Sequence, residues 1–334
     1  MRLAPLAALT LGAALAGLAA PRAQPQPAAP APTLAWPIAC QVGRSCEIQH
    51  YVDRDPGPGA LDYRCGHRTY DKHDGIDIRV LDMAAQRAGV DVLAAAPGRV
   101  VAVRDGVADI SIRTPGAPSV VGHECGNRVG IAAGNGWILD YCHLAKGSLK
   151  VKVGDTVAAG QPLAQVGLSG DTEFPHLHFS VRHANAVVDP FAPGAPGGCP
   201  ATAGSLWTPA AAAQAAYKRG VVLNAGFSTA LVDMAAVEER SVPAPTPAAP
   251  ALVTYARAIG LELGDVVEIT LSGPDGKTLA TTTLPPLDHD KDQFLAQVGR
   301  KRPPQGWAPG VYAGELQVRR GGAVALSRRW QMRL

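Results

Sequence analysis

Potential metal ligands and proton carriers gather at three places in the chain: His73-Asp74-Gly75-Ile76-Asp77, Tyr141-Cys142-His143-Leu144 and His176-Leu177-His178. Alternate residues of a strand share a face, so His176 and His178 project to one side, where two imidazoles can converge. His73 and Asp77 add a nitrogen and a carboxylate oxygen, both suited to zinc at about 2.0–2.2 Å. Three protein ligands leave a fourth position for water, the arrangement of a catalytic rather than a closed structural zinc site. Zinc lowers the pKa of such a water toward about 7 and polarises a carbonyl, chemistry that suits amide hydrolysis. Each motif alone is weak, since an HxH is commonly incidental and an HxxxD is close to background. Their co-occurrence in one exported chain carries the weight.

Short apolar alternations broken by Gly, Asn and Asp surround these residues. They predict strands at Arg99–Val103, Val129–Ala133, Ile138–His143, Leu163–Val166 and Leu177–Val181. One brief helix is expected at Met83–Ala88, and another at Ala210–Lys218, opening after Pro209. Further strands are expected at Val266–Leu271, Thr278–Thr283, Val311–Val318 and Ala323–Met332, with Gly273-Pro274-Asp275-Gly276 and Gly321-Gly322 as turns. The fold class is therefore all-β: a mostly antiparallel catalytic domain followed by a small C-terminal domain of β-sandwich type. The expected organisation is a signal peptide at 1–23, a Pro/Ala-rich spacer at 24–35, the catalytic domain at 36–200, a connecting segment at 201–250 and the C-terminal β domain at 251–334.

The leader reading rests on Met1-Arg2-Leu3, an uncharged run from Leu6 to Ala20, and small residues at Ala19, Ala20 and Ala23. It implies export to the periplasm or the extracellular space, and no later run is long enough for a stable membrane span. In an oxidising compartment the six cysteines, Cys40, Cys46, Cys65, Cys125, Cys142 and Cys199, favour disulfides. No CxxC pair supports a thiolate zinc site. Val129–Ile131 and Trp137–Leu139 flank Gly134-Asn135-Gly136, a hairpin that would bring Cys125 near Cys142. A net charge of +3 is too small to imply nucleic-acid binding, and aromatics at 5% leave no visible aromatic-rich binding strip in the C-terminal domain.

Taken together, His73-x-x-x-Asp77, Tyr141-x-His143-Leu144 and Pro175-His176-Leu177-His178-Phe179 resemble the M23 metallopeptidases, the lysostaphin- and LytM-type peptidoglycan endopeptidases. Ala96–Val100, Gly126–Ile131, Val153–Val157 with Gly160-Gln161, and Gly167–Gly170 resemble the family's intervening segments, so the likeness runs over roughly Gln49–Phe191. The resemblance implies a catalytic domain of the LytM, duplicated-hybrid-motif type. It implies Zn2+ held by His73, Asp77 and His178, with His143 and His176 as non-ligand catalytic histidines. Either of these two could be general base or stabilise the oxyanion, and spacing does not apportion the roles. The implied substrate is the stem-peptide crosslink of peptidoglycan, hydrolysed by a zinc-activated water. The alternative is a non-catalytic LytM-type binding or regulatory protein of the cell envelope.

Departures from the family pattern are the cysteines and two long stretches, Ile78–Ala95 and Asp105–Glu124, both expected to rim the groove. The C-terminal domain is expected to pack against the catalytic domain or to bind an envelope protein partner. His50, His67 and His123 are expected in surface loops. Asp53 and Asp55 read equally as a cation site or as an Asp/Pro-rich turn.

Overall fold

Strand alternation in the sequence becomes strand alternation in space. The computed structural model describes residues 30–194 and 204–334, so the expected leader, part of the expected spacer and Cys199 lie outside the described residues. In chain order, β1 (Cys46–His50) and β2 (Ile76–Val80) precede α1 (Met83–Ala88). Next come β3 (Asp91–Leu93), β4 (Gly98–Arg104), β5 (Asn127–Ala132), β6 (Trp137–Leu144), β7 (Thr156–Val157), β8 (Pro162–Gln165), β9 (His176–His183) and β10 (Ala186–Val187). Beyond them lie α2 (Pro209–Gln214), β11 (Val221–Ser228), α3 (Met234–Glu239), β12 (Ala251–Ile259) and β13 (Val266–Ser272). The chain ends with β14 (Thr278–Thr283), β15 (Phe294–Lys301), β16 (Val311–Arg320) and β17 (Ala323–Arg333). The sheets are antiparallel, as expected for this all-β chain.

The large sheet runs β1-β2-β9-β6-β5-β4-β7. In β9, Leu177, Phe179 and Val181 enter the core, while His176, His178 and Ser180 take the opposite face. In β2, Ile76, Ile78 and Val80 are fully buried, which leaves Asp77 and Arg79 on the other face. Register then places Asp77 opposite His178 and Arg79 opposite His176. A slip of one residue would drive these polar groups into the apolar core, so burial itself selects the register.

The helix at Met83–Ala88 forms as expected, with Asp82 Oδ1 capping the Ala85 amide at 2.8 Å. The second helix is shorter than expected and stops at Gln214. Tyr217 and Lys218 leave the helical path to bond Asp62 and Glu47, and those tertiary partners outweigh one more helical turn.

The C-terminal strands form two sheets, β11-β12-β15 and β14-β13-β16-β17, packed face to face. Val222, Ala256, Ala258, Val267, Ile269, Leu316 and Val318 fill the space between them. β11 falls inside the stretch that reads from sequence as a connector, and it pairs with β12 along its length.

The segment 78–95, expected to rim the groove, carries contacts with the sandwich. Leu81 packs against Val221, Leu223 and Ile259. Its carbonyl accepts from Arg257 Nη2 at 2.8 Å and Asn224 Nδ2 at 3.3 Å. Arg79 and Arg257 are both fully buried and share one carboxylate oxygen, Glu238 Oε2 of α3. Burial, with Arg257 nearby, pushes the Arg79 guanidinium down to about 10 although Glu238 opposes the shift. Removing Glu238 leaves two buried cations side by side. Glu238→Ala is therefore expected to cost about 3 kcal/mol, the lower end for a broken buried pair. A urea titration should show this as a lowered midpoint, with Arg87→Ala, whose Glu239 partner is exposed, nearly unchanged.

Candidate metal centre

His73, Asp77 and His178 meet at a corner formed by the turn before β2, by β2 and by β9. His73 Nε2 lies 3.2 Å from Asp77 Oδ1 and 3.2 Å from His178 Nδ1, and the last two atoms are 2.9 Å apart. Three donors at bonds of 2.0–2.1 Å in a tetrahedron stand about 3.3 Å from one another, so this donor set fits a zinc-sized ion closely.

Each of the three also has its remaining polar atom occupied. His73 Nδ1 donates to the Tyr51 carbonyl at 2.6 Å, and His178 Nε2 donates to Asp74 Oδ1 at 3.1 Å. Asp77 Oδ2 accepts from His50 Nδ1 at 2.9 Å. Such outer contacts fix tautomer and ring plane and leave the inner atoms to converge. Burial alone would raise the Asp77 carboxyl, but His73 and His176 hold it well below the usual carboxylate range. Burial would lower His178, yet Asp74 and Asp77 raise it to about 9. The field that holds a proton on His178 also attracts a divalent cation.

The other two expected histidines stand beside this corner. His176 Nδ1 donates to the Phe174 carbonyl at 2.9 Å, with Thr172 Oγ1 at 3.0 Å, while its Nε2 lies 3.4 Å from Asp77 Oδ1. His143 Nδ1 donates to the Ser169 carbonyl at 2.8 Å, and its ring centroid is 4.6 Å from that of His176. Burial, reinforced by His176 and His178, pushes the His143 imidazole well below its ordinary value, so it is neutral. Simple alternation from Leu139 and Tyr141 would send His143 into the core. A left-handed φ of 58° turns it to the site instead. The Cys125–Cys142 disulfide, expected from the hairpin, holds this place, and His143 N donates to Cys125 O at 2.9 Å. A second disulfide joins Cys40 and Cys46, and no described cysteine is free.

Sequence reasoning missed four contributors. His50, expected on the surface, is buried at the end of β1: Cys46-Glu47-Ile48-Gln49 alternates, but a bulge between Ile48 and His50 breaks the alternation and no sequence signal marks it. Asp74 was visible beside His73, but its role depends on reaching His178 across the sheet. Tyr70 stacks on His73 at 4.3 Å with half of its surface exposed, and Thr172 braces His176. Neither has a sequence signal of its own. Asp53 forms a turn: its carboxylate accepts from the amides of Asp55, Leu61 and Lys72. His67 and His123 are exposed, as expected. The second long stretch does flank the site, since Ile112 N and Ser111 Oγ donate to the carbonyls of Thr172 and Glu173.

Residues 71–190, about a third of the chain, match the model of peptidase family M23. Over 121 residues the chain is 31% identical to the cell division protein DipM of Caulobacter vibrioides, covering 36% of this chain and only 16% of DipM. Among solved structures it is similar to the catalytic domain of a mutant of the prophage-encoded M23 protein EnpA from Enterococcus faecalis. There the identity is 23%, over 49% of this chain and 95% of that one, with a TM-score of 0.30. It is also similar to the catalytic domain of the antimicrobial peptidase lysostaphin from Staphylococcus simulans, at 23% identity over 42% and 85% of the two chains and a TM-score of 0.27.

Gly75 shows how tightly the corner is drawn. A Cβ there would meet His178 Nε2 at 2.6 Å and the Phe179 carbonyl at 2.8 Å, and the backbone oxygen cannot yield. Gly75→Ala is therefore expected to displace His178 and lower bound divalent metal by at least about 10-fold. Elemental analysis after dialysis against zinc measures this, alongside melting of the metal-free protein to separate the effect from unfolding.

Proposed function

We propose that the protein is an exported zinc metalloendopeptidase that hydrolyses peptide crosslinks of bacterial peptidoglycan. The observation that carries this reading is the complete set of five residues at one corner, three converging donors and two histidines whose Nδ1 atoms are each tied to a backbone carbonyl. Zinc held by His73, Asp77 and His178 would supply Lewis acidity toward a substrate carbonyl and lower the pKa of water.

The chain's own groups account for the proton traffic. With Nδ1 committed as a donor, His143 and His176 each keep Nε2 to accept a proton or, once protonated, to give one up. One takes the proton of the attacking water. The same group or its neighbour returns a proton to the leaving amine, and a charged imidazole stabilises the developing oxyanion. The two roles remain assigned to the pair. Tyr70 presents an exposed ring over His73, where a backbone-extended peptide would lie against it. Export is supported by the leader at 1–23 and by disulfides around the site. Among the described residues no helix is long and apolar enough to cross a membrane.

The purified protein should release monomeric muropeptides from crosslinked sacculi, read by mass spectrometry of the soluble products. Chelation should abolish release and added zinc restore it, and His178→Ala should be inactive. His143→Ala and His176→Ala should each lose about 10²–10⁴-fold in kcat while keeping zinc. Undiminished cleavage after chelation sinks the mechanism. Stoichiometric zinc with no cleavage of any sacculus instead marks a non-catalytic envelope protein.

A further inference from the structure

We propose that the C-terminal sandwich is part of the metal-holding apparatus, with Asp292, acting through His50, positioning the ligand Asp77. The inference rests on the zinc reading above and adds residues to it. A bulge in β1 shifts the register between Ile48 and His50, so that His50 comes to stand opposite Asp77 on the site side. The buried imidazole then donates from Nδ1 to Asp77 Oδ2, which reserves Oδ1 for the corner shared with His73 and His178.

The other ring nitrogen leaves the catalytic domain altogether. His50 Nε2 lies 3.3 Å from Oδ1 of Asp292, in the loop between β14 and β15 of the sandwich. That loop is held in place on both sides of Asp292. Gln49 Nε2 donates to the Asp292 carbonyl at 2.8 Å, and Arg79 Nη1 donates to Gln293 Oε1 at 3.0 Å. Farther along, His67 Nδ1 and Asp290 Oδ2 are 2.5 Å apart. Each imidazole nitrogen of His50 therefore faces a carboxylate, one of them a metal ligand and the other supplied by a different module.

The side chain of Asp292 is 70% exposed, so its bond to His50 adds little to folding stability. Its effect is geometric. Two anchors fix the plane of the His50 ring, and a fixed ring keeps Asp77 from rotating its oxygens. With one anchor gone, the ring can turn and Asp77 can present either oxygen. Asp292 and His50 are positioning residues, since neither reaches the ion.

Zinc affinity of the full chain, measured by competition with a chromophoric chelator, tests this without recourse to activity. His50→Ala should weaken zinc binding by about 10–100-fold, and Asp292→Ala by up to about 10-fold. The double variant should be no weaker than His50→Ala alone, because Asp292 acts through His50. His67→Ala, which cuts a neighbouring contact of the same loop, should bind zinc like the wild type. Metal-free melting of Asp292→Ala should match the wild type, so this exposed position keeps the test valid even where His50→Ala folds poorly. Wild-type affinity in Asp292→Ala, additive losses in the double variant, or an equal loss in His67→Ala would each overturn the inference. A wild-type chain that holds no zinc would overturn the zinc reading itself.

Discussion

The antiparallel pairing of β2 with β9 is the constraint on which the rest depends. It puts Asp77 directly opposite His178 and Arg79 opposite His176, with Ile78 and Leu177 facing the core behind them. Because side chains alternate, the apolar set and the polar set cannot be satisfied in any other register. The hydrophobic core thus does the positioning. Leu177, Phe179 and Val181 are buried to within 1% of completely, and they hold the imidazoles in place from the back of the sheet.

Around that pairing, convergence comes from closing off every competing contact. The Tyr51 carbonyl, Asp74 and His50 take the outer atoms of His73, His178 and Asp77, and the carbonyls of Ser169 and Phe174 take the Nδ1 atoms of His143 and His176. What remains free points inward. His143 needs a left-handed backbone to join the group, a conformation that costs about 1 kcal/mol or more for a side-chain-bearing residue. The adjoining disulfide and the hydrogen bond to Cys125 hold that conformation in place. Strain at this position marks where geometry has been set by the site rather than by strand propensity.

The sandwich reaches the site through polar contacts. Glu238 neutralises Arg79 just beyond Asp77, and the Arg79 guanidinium lies 4.3 Å over the Phe174 ring, whose carbonyl orients His176. Asp292 meets His50 on the other flank. Arg79 and Arg257, both fully buried, require a docking that brings Glu238 between them. Within the long stretch Ile78–Ala95, Leu81 meets the sandwich, a contact that no reading of the sequence around the site could show.

From the sequence alone, many of the strands were legible. β4, β5, β6, β8, β9, β13, β14, β16 and β17 stand where apolar runs between turn signals predicted strands, and the short helix α1 has its Asp82 cap and Gly89 stop. β12 was not legible, because both of its faces are largely buried and little alternates, and in β1 the bulge before His50 hid which side that residue takes. The five principal site residues were likewise visible as residue types at suggestive spacings, together with a recognisable likeness to a family. Spacing along a chain fixes which face a residue takes, and that much is local. His50, Asp74, Tyr70, Thr172 and Asp292 entered only with the tertiary structure, since their partners lie across a sheet, a loop or a module boundary. Sequence thus determined which side chains could do the chemistry. Register, bulge and docking, all consequences of burying apolar surface far along the chain, decided which neighbours would hold them still.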